Sequence, residues 1–243
     1  MVLLMISNSF LGKFIVFEGL DGSGQSTQAA KLVEYLNRHQ KKLEFGRPRT
    51  RAKLGTELVQ NRSAASGSGP EAHLTKEPTN NLIGGLIRGQ LTNNWKTGPE
   101  CLQLLFAADR AHHLEKEVIP ILEKGGVVIS DRYFFSTIAY GSLEIPDWQW
   151  LKDINKHFLA PDLSIFLKVS PKVCIERIKG NRFEMELFEK EEALAKIWEG
   201  YERIVKEYEN IYIVDGEREI DEIFEEIKKI IHEKLNLNGG SSF

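Results

Sequence analysis

The run Gly19-Leu20-Asp21-Gly22-Ser23-Gly24-Gln25-Ser26-Thr27 is the segment of this chain best suited to chemistry. Glycines let a backbone close its N–H groups around phosphate oxygens, and a following helix adds the positive end of its dipole. The spacing is that of a phosphate-binding loop, G-x4-G-K-[ST], set between an apolar run and a helical pattern as such a loop requires. Ser26 stands where a hydroxyl ligates Mg²⁺. The lysine of the pattern is replaced by Gln25. A lysine ammonium neutralises charge on the β- and γ-phosphates during phosphoryl transfer. A glutamine amide donates a hydrogen bond and no charge. The backbone cradle predicts retained nucleotide binding, and the missing charge predicts turnover slowed by a factor on the order of 10²–10³. An engineered change, a degenerate site and a site rescued by another cation all fit these residue types.

Two further groups have suggestive spacing. Phe106 and Arg110 are four residues apart, so they share a helix face, where a ring stacks on a base and a guanidinium bonds its edge. Arg132, Ser136 and Tyr140 recur every four residues after the apolar run Val127–Ser130. An arginine at the end of a strand, beside a phosphate loop, suits a second phosphate. Taken alone, the first pair equally fits a core aromatic and a solvated charge.

These groups need elements to hold them. Short buried strands are predicted at Lys13–Glu18, Val127–Ser130 and Leu163–Val169, with weaker ones at His73–Lys76 and Ile211–Val214. Helices are predicted at Gln25–Gln40, Asn81–Leu91, Pro99–Lys124, Phe134–Gly141, Asp147–Phe158, Pro171–Lys179, Glu184–Glu209 and Glu219–Leu235. Five strands alternating with helices imply an α/β fold, an open parallel sheet with helices on both faces. Ligands on such sheets bind beyond the carboxyl ends of the strands. The helix Pro99–Lys124 carries Leu102, Leu104, Leu105, Val118, Ile119, Ile121 and Leu122 on more than one side, so it is expected to be buried on more than one side.

The 243 residues fit one domain, here 1–243, with an insertion. Nothing in a net charge of −3 suggests a general nucleic-acid or membrane-surface binder. No apolar run approaches the roughly 18 residues of a membrane span. The start, Met1–Leu11, lacks a basic region and a cleavage signal and reads as a short extension. Cys101 and Cys174 have no metal-type spacing and read as reduced thiols, which points to the cytoplasm. Gly46–Glu71 breaks the alternation: it is basic, then Gly/Ser-rich, and is expected to be a tolerated surface insertion.

The segments FEGLDGSGQST, TKEPTNNLIGGLIR, LFAADR and DRYFFSTIAY, with a lid-like IKGNRFE, together resemble thymidylate kinase of the P-loop nucleoside monophosphate kinases. The resemblance covers nearly the whole chain except the start and the insertion. It implies phosphoryl transfer from ATP to dTMP with Mg²⁺, in a cytoplasmic homodimer. It places Asp21 on the sugar 3′-hydroxyl or the metal, Pro78 against the base, Phe106 on thymine and Arg110 on its edge. Arg132 would hold the acceptor phosphate, with Ser136 on the same face. Thr137 would lie near the base edge, and Tyr140 would crowd the 2′ position. Within a lid at 177–184, Arg182 would reach the transferred phosphoryl and Glu184 the metal, with Arg177 and Lys179 looser candidates. Departures from the family pattern are Gln25, Gly141 where glutamine often follows the Ala-Tyr pair, and the insertion. A nucleotide-binding pseudokinase is the alternative, and a deoxynucleoside kinase with Glu18 as base is another.

Overall fold

The computed structural model describes residues 5–39, 71–181 and 190–235. Five parallel strands form one sheet in the order β2-β3-β1-β4-β5. They are β1 (Lys13–Gly19), β2 (Ala72–Lys76), β3 (Val127–Asp131), β4 (Leu163–Lys168) and β5 (Ile211–Asp215). β1 is central, pairing Ile15 with Ile129 of β3 on one side and with Leu163 of β4 on the other. From β1 the chain crosses to the edge strand β2 and returns to β3 on one flank, then passes to β4 and outward to β5 on the other. That reversal beside β1 opens a crevice beyond the strand ends.

Alternation along β1 feeds two cores. Phe14 and Val16 face one layer with Leu114, Val118 and Leu122, which follow α3 (Pro99–His113), and with α5 (Phe134–Gly141) and α8 (Glu191–Glu207). Ile15 and Phe17 face the other, with α1 (Gln25–Arg38) and α9 (Ile220–Lys234). Strands buried on both faces need continuous apolar runs, as the sequence of β1 provides. The other helices are α2 (Leu82–Leu91), α4 (Ile119–Glu123), α6 (Trp148–Asp153) and α7 (Pro171–Asn181). Asn81 caps α2 by accepting from the Ile83 and Gly84 amides.

The expected alternation is present, with local differences. The single helix expected over 99–124 runs through a π-helical turn at Leu114–Val118 before continuing as α4. Pro120 has no N–H for the Lys116 carbonyl one turn back, and the wider turn accommodates that gap. The helix expected to reach Phe158 ends at Asp153, because the Asn155 side chain takes the Leu151 carbonyl and stops the ladder. α8 begins at Glu191, and most of the expected stretch before it lies outside the described residues, as does the 46–71 insertion except Glu71. Leu102, Val118 and Leu122 are buried, whereas Leu104 is half exposed, as are Leu86 and, more fully, Leu82 of α2. Among the described residues no helix is long and apolar enough to cross a membrane.

The layering predicts how the core responds to truncation. Ile227→Ala, at a fully buried position of α9, should lower unfolding free energy by ~2–5 kcal/mol in urea titrations. Lys229→Ala, on the exposed face of the same helix, should change it by less than ~0.5 kcal/mol. Equal costs at the two sites would contradict the packing.

Candidate active site

A cavity of about 820 Å³ lies beyond the ends of β1, β2 and β3. Its floor is the loop from β1 into α1. Gly22 and Gly24 there have φ of 82° and 93°, backbone that side chains avoid. A Cβ on Gly22 would stand 2.6 Å from the Cys174 carbonyl oxygen. The loop residues Asp21 to Gln28 line the cavity, so the expected phosphate cradle faces open space. Gln25 Oε1 accepts from Ser23 Oγ at 3.4 Å, turning the amide back onto its own loop. Arg177 donates to the Ser23 and Gly216 carbonyls at 3.3 and 3.0 Å. Lys76 also lines the cavity, and its ammonium has no ion-pair partner among the described residues.

Arg132, Ser136 and Tyr140 come together as their spacing implies. Arg132 sits at φ 71°, just past β3. Its Nη1 donates to the Gly19 carbonyl and to Ser136 Oγ, both at 2.9 Å, and its Nη2 to Asp21 Oδ1 at 2.6 Å. Tyr140 accepts from the Asp21 amide at 3.1 Å and donates to Asp21 Oδ2 at 3.0 Å. The guanidinium lies 5.1 Å from the Tyr140 ring centre. Both Asp21 oxygens are therefore turned toward α5 and away from Ser26.

Ser26 instead donates to Asp131 Oδ2. Asp131 Oδ1 is buried with no partner. An orphaned carboxylate oxygen beside the loop hydroxyl fits a hard divalent cation. The sequence reading gave Asp131 no role. Its one signal was an acidic residue ending a strand next to the phosphate loop.

Behind Arg132 lies Glu18, fully buried. Its Oε1 accepts from the Tyr133 and Ser136 amides at 2.8 and 3.2 Å, and its Oε2 from Ser136 Oγ and from Tyr201 of α8 at 2.9 Å. Tyr133, the residue opening α5, makes no side-chain cap, so a glutamate from β1 caps this helix across the sheet. Burial pushes the Glu18 carboxyl up to about 7, against the pull of Arg132 and of its hydrogen-bond donors. Glu18 does not line the cavity, which removes the general base that the deoxynucleoside kinase alternative required.

At the other end, Phe106, Arg110, Pro78 and Thr137 line the cavity wall. Arg110 is fully buried and held on every side. It pairs with Glu77 Oε2 at 2.7 Å, donates to Thr137 Oγ1 at 2.8 Å and to Asn155, and lies over the Tyr133 and Phe158 rings. His113 Nδ1 contacts the other Glu77 oxygen at 3.0 Å. Asp109 takes the Thr79 amide and hydroxyl, both at 2.7 Å, and so fixes the turn after Pro78. Arg182 and Glu184 lie outside the described residues.

A phosphate loop at a topological switch of a parallel sheet, with a second cationic group facing it, defines a P-loop phosphotransferase. The Thymidylate kinase family model matches residues 57–227. A probable thymidylate kinase of Thermococcus gammatolerans is 33% identical over 233 residues, covering 93% of this chain and 98% of that one. One from Sulfolobus acidocaldarius is 36% identical over 222 residues, covering 91% and 97%. The structure of thymidylate kinase from Candida albicans superposes with a TM-score of 0.72 at 26% identity, covering 95% of this chain and 96% of that one. The chain belongs to the thymidylate kinase family.

Glu18 gives the site a pH signature. Its carboxyl ionises near 4.5 when unperturbed and near 7 in the fold. Between these values the unfolded chain has released a proton that the folded chain keeps, so stability falls as pH rises. The group's contribution declines by ~3 kcal/mol across that window. Glu18→Gln should abolish this part of the slope in urea titrations at pH 5 and 7.5. A wild-type-to-variant difference that is the same at both pH values would refute it.

Proposed function

We propose that this chain transfers the γ-phosphoryl group of ATP to dTMP, giving ADP and dTDP. The observation that carries this reading is a single cavity with a phosphate loop at its floor, Arg132 facing that loop, and Phe106 with Arg110 at the far wall. Family membership supports the same substrates.

The nucleophile is a phosphate oxygen of dTMP. A monoester's second pKa is about 6, so the acceptor is largely dianionic at neutral pH and no general base is required. The new O–P bond forms at the γ-phosphorus as the bond to the β-phosphate oxygen breaks, and ADP leaves. The work of the protein is positioning and charge neutralisation. The loop amides of Gly22 to Thr27 hold the donor phosphates. Arg132 exchanges Asp21 for the acceptor phosphate, and Asp21 turns to the sugar 3′-hydroxyl. Phe106 stacks on thymine, Arg110 donates to its edge, and Tyr140 crowds the 2′ position. Mg²⁺, when bound, adds positive charge at the transferring phosphates, with Ser26 and Asp131 as its protein ligands. Arg182 and Glu184 act from the lid as the family resemblance implies, and a closed lid excludes water.

The exposed leucines Leu82, Leu86 and Leu104 on α2 and α3 support a symmetric homodimer, and the unpaired thiols of Cys101 and Cys174 support a place in the cytoplasm. Light scattering should give twice the chain mass, and a monomer at all concentrations would contradict it.

Melting shifts should be larger with dTMP than with dCMP, with the 2′-hydroxylated nucleotide or with thymidine. A larger shift with thymidine would sink the monophosphate-kinase reading. Gln25 bears on turnover more than on binding, since the absent ammonium acts where charge moves. In a coupled ADP-release assay Gln25→Lys should raise kcat by about 10²–10³ with little change in KM for ATP. If neither form turns over while both bind nucleotide, the pseudokinase reading takes its place.

A further inference from the structure

Gln103 is a buried polar side chain in the cavity wall that the reaction described above does not use. It is 3% exposed, it lines the cavity, and its Oε1 has no hydrogen-bond partner. A buried amide oxygen left without a donor is unfavourable, because its lost hydration is not replaced. Gln103 precedes Phe106 by three residues and Arg110 by seven, so all three project from one face of α3. Across from it is Gly141, where a Cβ would stand 3.0 Å from Gln103 Cδ and 3.2 Å from its Nε2. The space that a side chain at 141 would enter is filled from α3 by the Gln103 amide. The amide is thereby held beside the wall that carries Arg110 and Thr137.

Hydrogen-bond chemistry then selects a partner. Arginine only donates, whereas glutamine offers a carbonyl acceptor. Thymine presents an acceptor, a donor and an acceptor in order along its edge: O4, N3–H and O2. Cytosine presents a donor first and an acceptor at N3. A donor from Arg110 beside an acceptor from Gln103 matches the O4 and N3–H pair of thymine and opposes the corresponding pair of cytosine. We infer that Gln103 is a specificity-determining residue, whose side-chain carbonyl accepts the N3–H of the acceptor's thymine. This rests on the dTMP reading and deepens it.

The test is equilibrium binding by calorimetry, which does not depend on turnover. Wild type, Gln103→Met and Gln103→Ala are titrated with dTMP, with dTMP methylated at N3, with dCMP and with ATP. Methionine keeps the volume and removes the acceptor. Gln103→Met should weaken dTMP about three- to tenfold, the worth of one neutral hydrogen bond. Its ATP affinity should be unchanged. The penalty for N3 methylation should shrink by the same factor, because that penalty contains the lost bond only when Gln103 is present. Should the methionine variant fail to fold, Gln103→Ala must show the same loss on dTMP. Equal weakening of dTMP and its N3-methyl form would mean that Gln103 merely packs, and unchanged dTMP binding would equally overturn the inference. If wild type itself prefers thymidine or dCMP to dTMP, the dTMP reading falls and this inference falls with it.

Discussion

The acceptor end of the cavity depends on one buried carboxylate. Glu18 ends the central strand among apolar neighbours and accepts from the first amides of α5 and from Tyr201 of α8. A charge in such a place is strongly disfavoured unless donors surround it. Here the donors come from two helices far apart in sequence, so the cost of burying Glu18 is offset only when both are docked. Ser136 carries the constraint one step further, since its hydroxyl meets Glu18 on one side and Arg132 on the other. The position of the guanidinium is thus set by the same group that caps the helix behind it.

The two arginines of the cavity are held in opposite ways. Arg110 is fully buried, with Glu77, Asn155 and Thr137 around it. Removing any member of that cluster would strand a buried charge. Its geometry is therefore rigid, as reading a base edge demands. Arg132 is partly exposed and paired with an aspartate that is itself more exposed. Such a pair is weak enough to open. The contrast matches a fixed base-reading wall and an exchangeable phosphate clamp.

Much of this was legible in the sequence. The apolar runs ending in glycine or aspartate located β1 and β3, and the fourfold spacing of Arg132, Ser136 and Tyr140 located one face of α5. These signals are local: period, spacing and turn chemistry. What was missed depends on contacts between distant segments. Asp131 gains meaning only beside Ser26, and Glu18, which from sequence reads as a possible base at a strand end, becomes a helix cap only when α5 and α8 are docked on it. Gln103 carries no signal of its own in the sequence and gains meaning only where Gly141 leaves room for it. The end of α6 at Asp153 was hidden for a related reason, because Asn155 had to be seen turning back onto the ladder.

The Arg132–Asp21 pair has a consequence for the waiting enzyme. On the proposed reading, a lone anion such as inorganic phosphate can take Arg132 only by leaving the Asp21 carboxylate without its cation, so part of what it gains is forfeited at once. A nucleotide brings two groups to the exchange, its phosphate for the arginine and its sugar hydroxyl for the aspartate. The clamp therefore answers to the coincidence of the two, and the abundant simple anions of a cell are poor keys to it.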